Sequence, residues 1–175
     1  TPQMGKRSLS ETGVERICVR APNWVGDVVM ATPLLRALRR QLPDAHIAVV
    51  IRGRVLPVLK RTPWFDDVLV YKPDAMSTAL AFLGASRALA HRRFDLGLVL
   101  PNSFSSALMF WMGRVRVRVG YARDLRSPLL TDAVPRPQLD GAFRPTYMAD
   151  YYLGLARAVG IPDVGNDTEL FFTDQ

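Results

Sequence analysis

The chain has 175 residues, 49% hydrophobic and 22% charged, the balance of an ordinary folded domain rather than a disordered segment. Twenty-three basic against sixteen acidic residues leave a net charge of +7, which suggests an anionic partner or a solvated basic face. No apolar run approaches the ~20 residues of a membrane span, and the polar start of the chain lacks the apolar stretch of a secretory signal.

Residues 1–14 read as a flexible leader and residues 15–175 as one domain. Arg16 to Ala21 is the first expected strand; its Cys18, the single cysteine, reads as a buried, inert thiol suited to a reducing cytoplasm. Asp27 to Leu42 follows as an amphipathic helix, with apolar residues at 28, 31, 35, 38 and 42 and arginines 36, 39 and 40 opposite. Pro33 leaves two readings of its start: Thr32 caps a helix beginning at Pro33, or the helix begins at Asp27 and kinks. His46 to Ile51 is a second strand, Arg54 to Lys60 a short helix, and Asp67 to Tyr71 a third strand. An Ala- and Leu-rich helix spans Ala75 to His91, and Asp95 to Leu100 is a fourth strand.

Ser103 to Met112 is then an apolar helix. Val115 to Val119 is a fifth strand whose arginines 114, 116 and 118 alternate with valines, the pattern of an edge or half-exposed strand. Prolines 128, 135 and 137 mark a loop, Pro145 to Val159 a last helix closed by Gly160, and Glu169 to Phe172 a further strand. Strand and helix in repeated alternation predict an α/β fold: a Rossmann-like parallel sheet with helices on both faces.

Ligands of such sheets bind outside the carboxyl ends of the strands. That rule selects three loops: Pro22 to Gly26, Arg52-Gly53-Arg54, and Pro101 to Ser106. The first lacks the glycines of a dinucleotide fingerprint, and the chain has no Walker A motif. Gly26 instead sets Asp27 at a helix start, where a carboxylate caps the helix or serves as a general base. Beside it Trp24 offers a stacking face or a core side chain. Arg52 and Arg54 put two guanidinium groups at the crevice mouth, as anion ligands or solvated surface. Ser103 reads as a helix cap, whereas Asn102 has no such structural duty in the sequence. Arg123 and Arg126 flank an irregular segment, with Asp124 as an ion-pair partner for one of them. His46 and His91 stand apart, Asp66-Asp67 lacks a metal-site spacing, and neither a metal nor a cofactor is expected.

Three segments taken together resemble glycosyltransferase family nine, the ADP-heptose:lipopolysaccharide heptosyltransferases, and within it the heptosyltransferase II branch. They are Ala21-Pro22-Asn23-Trp24-Val25-Gly26-Asp27, Leu100-Pro101-Asn102-Ser103-Phe104-Ser105-Ser106-Ala107-Leu108, and Gly120 through Asp132. The helix Tyr147 to Gly160 is similar to the segment that closes the family's first domain. The resemblance implies the N-terminal, acceptor-binding domain of a two-domain GT-B enzyme that transfers heptose with inversion and without metal. Asp27 matches the family's catalytic base. Asn23, Trp24, Arg52, Arg54, Asn102, Ser103, Arg123 and Arg126 are the implied acceptor-binding residues.

The implied partners are the anionic, lipid-borne lipopolysaccharide inner core, and ADP-heptose through a second domain. The implied location is the cytoplasm, with peripheral contact at the inner face of the inner membrane. Many relatives carry Ser-Met or Ser-Trp where this chain has Asn23-Trp24, and their donor domain has no counterpart here. A two-domain enzyme of this kind runs to roughly twice this length, so the chain alone is expected to be inactive. A nucleotide-binding Rossmann domain of another class is the alternative. A basic nucleic-acid module is a lesser one, because the aromatics do not interleave with the arginines as a stacking platform requires, and no nucleic acid is expected as a partner.

Overall fold

The computed structural model describes residues 13–72, 78–139, 142–143, 146–162 and 164–171. Six parallel strands form one sheet: β1 (Arg16–Arg20), β2 (His46–Arg52), β3 (Asp67–Tyr71), β4 (Leu96–Val99), β5 (Val117–Tyr121) and β6 (Asp132–Val134). Their spatial order, β3-β2-β1-β4-β5-β6, reverses direction between β1 and β4. That reversal opens a crevice beyond the carboxyl ends of these two strands. A small antiparallel pair, β7 (Gln138–Leu139) and β8 (Ala142–Phe143), stands outside the sheet.

Alternation along the strands sends side chains into two cores. Ile17, Val19, Ile47, Val49, Leu96 and Leu98 meet α2 (Thr32–Gln41) and α5 (Met148–Ala158) on one face. Cys18, Ala48, Val50 and Val99 meet α3 (Thr78–Arg92) and α4 (Phe104–Met112) on the other. Both faces are therefore covered, as a parallel sheet requires. The fold is the expected Rossmann-like one. Gly97 allows α4 to lie close on the sheet: a Cβ there would sit 2.6 Å from a Phe110 ring carbon and 2.8 Å from Val115 Cγ1.

The expected helix from Asp27 to Leu42 is two helices, α1 (Val25–Met30) and α2, joined at Ala31. Pro33 has no N–H for the Val29 carbonyl four residues earlier. The Thr32 hydroxyl donates to that carbonyl instead, at 2.7 Å. Helix α1 also begins before Asp27, with Trp24 at its N-cap position and no side-chain cap bond. Arg36, expected on the solvent side of this segment, is buried: it pairs with Glu169 and donates to the Gly165 carbonyl at 3.2 Å.

Other departures have equally local causes. Residues 53–59 form a 3-10 helix containing Pro57. Strand β5 lies between β4 and β6, so it is not an edge. Its Arg118 is accommodated by donating to the Leu129 and Val115 carbonyls at 2.7 and 2.6 Å. Strands β6, β7 and β8 went unforeseen in a proline-marked stretch. Glu169 to Phe171 is not a strand; Phe171 packs edge-on against Trp64 at 5.4 Å. The proposed helix start at Ala75 and the leader up to residue 12 lie outside the described residues. Among the described residues no helix is long and apolar enough to cross a membrane.

Candidate functional site

All three expected loops gather at the carboxyl edge of the sheet, around the β1–β4 reversal. Arg20, the last residue of β1, is only 2% exposed. Its guanidinium donates to the carbonyls of Ala21 at 2.7 Å and Val50 at 3.2 Å, and to Asn23 Oδ1 at 2.9 Å. Asn23 is thus a fixed part of the loop wall. Sequence reasoning missed Arg20, although a charge in an apolar strand that shares a face with Cys18 was a usable signal.

Beyond Asn23 the loop turns outward. Trp24 is 69% exposed, so it is not a core residue, and the Arg54 guanidinium lies over its ring at 5.3 Å. Arg54 also donates to the Asn23 carbonyl at 3.3 Å. This cation–π pair holds the indole face at the crevice rim. Asp27 follows in the first turn of α1, half-buried. Because the helix starts ahead of it, Asp27 is not the cap. Among the described residues its carboxylate has no hydrogen-bond or ion-pair partner. Burial, and then the negative charge of Asp27, push the phenol of buried Tyr152 above its usual range. An unpartnered carboxylate beside the mouth of the sheet is the type of group that general-base chemistry uses.

The third loop is pinned from behind. Asn102 Oδ1 accepts from Arg126 Nη2 at 3.3 Å and from the Tyr151 hydroxyl at 3.2 Å. Among the described residues its amide N–H groups have no partner. Ser103 caps α4: its Oγ accepts from the Ser106 N–H at 3.4 Å and lies 2.8 Å from the Ser106 hydroxyl. Tyr121 stacks on Tyr151 with centroids 4.0 Å apart and donates its hydroxyl to the Tyr151 carbonyl at 2.6 Å. Burial raises both phenols above their usual range. The tyrosines of α5 carried no motif that marked them as part of the site.

Arg126 departs from its expectation as a loop arginine that contacts acceptor anions. It is 0% exposed and donates to the carbonyls of Pro101 and Tyr121 as well as to Asn102. Its place is behind the loop, as a positioning residue. Gly120 makes that fit: a Cβ there would meet Arg126 Nη2 at 3.0 Å. Arg123, by contrast, is exposed and pairs loosely with Asp124 at 3.4 Å, which settles the partner of that acid. Arg52 lies on the other side of the first loop, in a cleft with Arg20, Ser103 and Ser105.

Asp66 and Asp67 are structural: the first bonds Arg39 at 2.6 Å and the Ile47 N–H at 2.8 Å, the second pairs with Arg92. Cys18 is fully buried, and burial raises its thiol well above the usual range. Among the described residues no group of three or more His, Cys, Asp or Glu is placed to hold a metal ion.

Residues 83–166 match glycosyltransferase family 9 (heptosyltransferase). The chain is 33% identical over 156 residues to lipopolysaccharide heptosyltransferase 2 of Salmonella typhimurium, across 87% of this chain and 43% of that protein. The solved structure of ADP-heptose lps heptosyltransferase II from E. coli superposes with a TM-score of 0.69 at 27% identity, covering 89% of this chain and 47% of that one. A family 9 glycosyl transferase from Veillonella parvula shares the fold, with a TM-score of 0.79 at 21% identity over 91% of this chain and 45% of its own. The chain therefore spans less than half the length of these relatives. In its loops, its sheet order and these likenesses, the chain is similar to glycosyltransferase family 9.

Proposed function

We propose that this chain is the acceptor-binding, N-terminal part of a GT-B heptosyltransferase that moves heptose from ADP-heptose to the lipopolysaccharide inner core. The observation that carries the reading is Asp27: a half-buried carboxylate without a partner among the described residues, placed where the sheet order reverses and beside an exposed indole. In the reaction, an acceptor hydroxyl oxygen attacks the anomeric carbon while Asp27 takes the hydroxyl proton. The bond from that carbon to the phosphate oxygen breaks, ADP leaves with the electron pair, and attack from the opposite face inverts the anomeric centre.

Trp24 and Arg54 form one wall of the acceptor site, and Asn102, fixed by Arg126 and Tyr151, forms the other. Arg123 is placed to meet acceptor anions from the rim, as an exposed arginine on a net-basic chain. In this reading ADP-heptose meets a second domain of the enzyme. The enzyme works in the cytoplasm, at the inner face of the inner membrane where a lipid-borne acceptor resides. Its arginine-rich surface suits anionic headgroups.

Titration separates this reading from that of a nucleotide-binding Rossmann domain. The folded chain is expected to bind inner-core oligosaccharide saturably and to show no tight binding of ADP. Tight ADP binding without oligosaccharide binding would reverse the assignment.

A further inference from the structure

On the α3/α4 side of the first loop lies a cleft of about 170 Å³ walled by Arg20, Asn23, Arg52, Tyr71, Ser105 and Ser106. Strand alternation puts its cations there: Arg20 follows Cys18, and Arg52 follows Val50, onto the sheet face opposite the core that receives α2 and α5. Arg20 is held rigid by the two carbonyls and Asn23, yet its Nε is buried without a partner. The Nε of Arg52 is buried and unpartnered as well.

Among the described residues neither guanidinium has a carboxylate partner. Burial first, and then the facing charge of Arg52, pull Arg20 down to about 10, with Tyr71 partly opposing. Arg20 also lies over the Tyr71 ring at 5.7 Å, which offsets part of its charge. Two cations in one cleft with no carboxylate among the described residues remain costly unless an anion joins them. The start of the nine-residue α4 completes the wall, with Ser105 and Ser106 in its first turn. The Ser106 N–H is taken by Ser103 Oγ; the other first-turn N–H groups lack intrahelical partners and favour negative charge.

We propose that this cleft is a phosphate subsite, filled by a phosphate group on a sugar or by free phosphate. Arg52 and the first turn of α4 touch the anion, and Arg20 supplies the fixed charge behind them. An arginine fork facing a helix start offers donors from several directions, which suits a tetrahedral oxyanion better than a planar carboxylate. That the phosphate belongs to the acceptor rests on the reading given under Proposed function; the subsite itself rests only on its own residues.

The test is a calorimetric titration of the folded chain with inorganic phosphate at constant ionic strength, and with acetate in parallel. Phosphate is expected to bind one to one and acetate much more weakly. Arg52→Gln should weaken phosphate by about tenfold or more, the loss of a charged hydrogen bond. Ser105→Glu should abolish it, because the new carboxylate occupies the anion's place. That variant favours the helix start, so its urea midpoint should not fall, and the loss then reads as binding rather than folding. Absence of saturable phosphate binding by the folded chain, acetate binding as strongly, or binding untouched by both variants would each overturn the subsite.

A second arm compares inner-core oligosaccharide before and after chemical removal of its phosphates. Weaker binding after removal, in the unaltered chain but not in Arg52→Gln, supports a phosphate carried by the acceptor. Indifference to removal while inorganic phosphate still binds supports the free-phosphate form. Failure of oligosaccharide to bind at all, with phosphate binding intact, would count against the acceptor reading and leave the subsite standing.

Discussion

Arg126 connects three backbone segments from a fully buried position, through Pro101, Tyr121 and Asn102. Burial lowers its affinity for protons, with the phenol of Tyr151 and the carboxylate of Asp124 partly opposing. Removing the guanidinium leaves its carbonyl partners without their donors, so Arg126→Met should lower unfolding free energy by about 2–3 kcal/mol. Lysine should not restore it, since one ammonium cannot reproduce the planar fork. An unchanged urea midpoint for Arg126→Met would refute this role. Gly97 gives a second single-residue test: the added methyl of Gly97→Ala must displace Phe110 or Val115. The expected loss is about 1–3 kcal/mol, read by thermal or urea denaturation. At this scale the sequence was legible where a residue type constrains its own neighbourhood. Ser103 read as a cap and is one. Arg126 read as an acceptor ligand because nothing in an irregular loop betrays which arginine turns inward, and only the small Gly120 hints at the space it takes.

Elements were legible where periodicity was unbroken and blurred where a side chain replaced a backbone bond. Strand β3 falls on its expected residues, and β1, β2, β4 and α4 within about a turn of theirs. The α1–α2 break escaped a single reading because it depends on whether Thr32 can satisfy the Val29 carbonyl that Pro33 leaves open. Arginines 114, 116 and 118 suggested an edge or half-exposed strand. Of these, only Arg118 lies in β5, tolerated there because it finds carbonyls to bond, information that lies in residues 115 and 129 rather than in the alternation; Arg114 and Arg116 stay exposed ahead of the strand. Between elements, Asp66 joins the start of β2 to Arg39 at the end of α2.

Burial by itself would raise the Asp66 carboxyl, but the Ile47 N–H bond and the bond and charge of Arg39, with His46 adding, outweigh it and hold it below its usual 3.8. A carboxyl depressed in the folded chain means that the unfolded chain binds more protons around that pH, so stability rises with pH there. Asp66→Asn should therefore cost about 1 kcal/mol above pH 4, modest because the pair is partly exposed. The gap between the variant and the unaltered chain should close as pH falls through the depressed folded value. A gap that stays constant down to strongly acidic pH would contradict this linkage.

Across the whole molecule, the order β3-β2-β1-β4-β5-β6 brings loops distant in sequence to one crevice. The alternation of strand and helix predicted the parallel sheet with both faces covered, and with it the edge where loops gather. It did not reveal which face each loop serves. Asp27 belongs to the α1/α5 side, whereas Arg52 lines a cleft on the α3/α4 side, so residues grouped together in the sequence serve different faces. Tyr152 joins Asp27 only because α5 crosses the sheet beside α1, a contact between residues far apart along the chain.

The central claim is that Asp27 accepts the proton of the attacking hydroxyl. Asp27→Asn keeps the side-chain shape and removes the basic oxygen, so it is the variant to test in the two-domain enzyme proposed above. Single-turnover heptose transfer should fall by roughly 10²–10⁴, while oligosaccharide affinity and the urea midpoint of the domain stay where they were. Transfer at the unaltered rate by a folded Asp27→Asn enzyme would contradict the account.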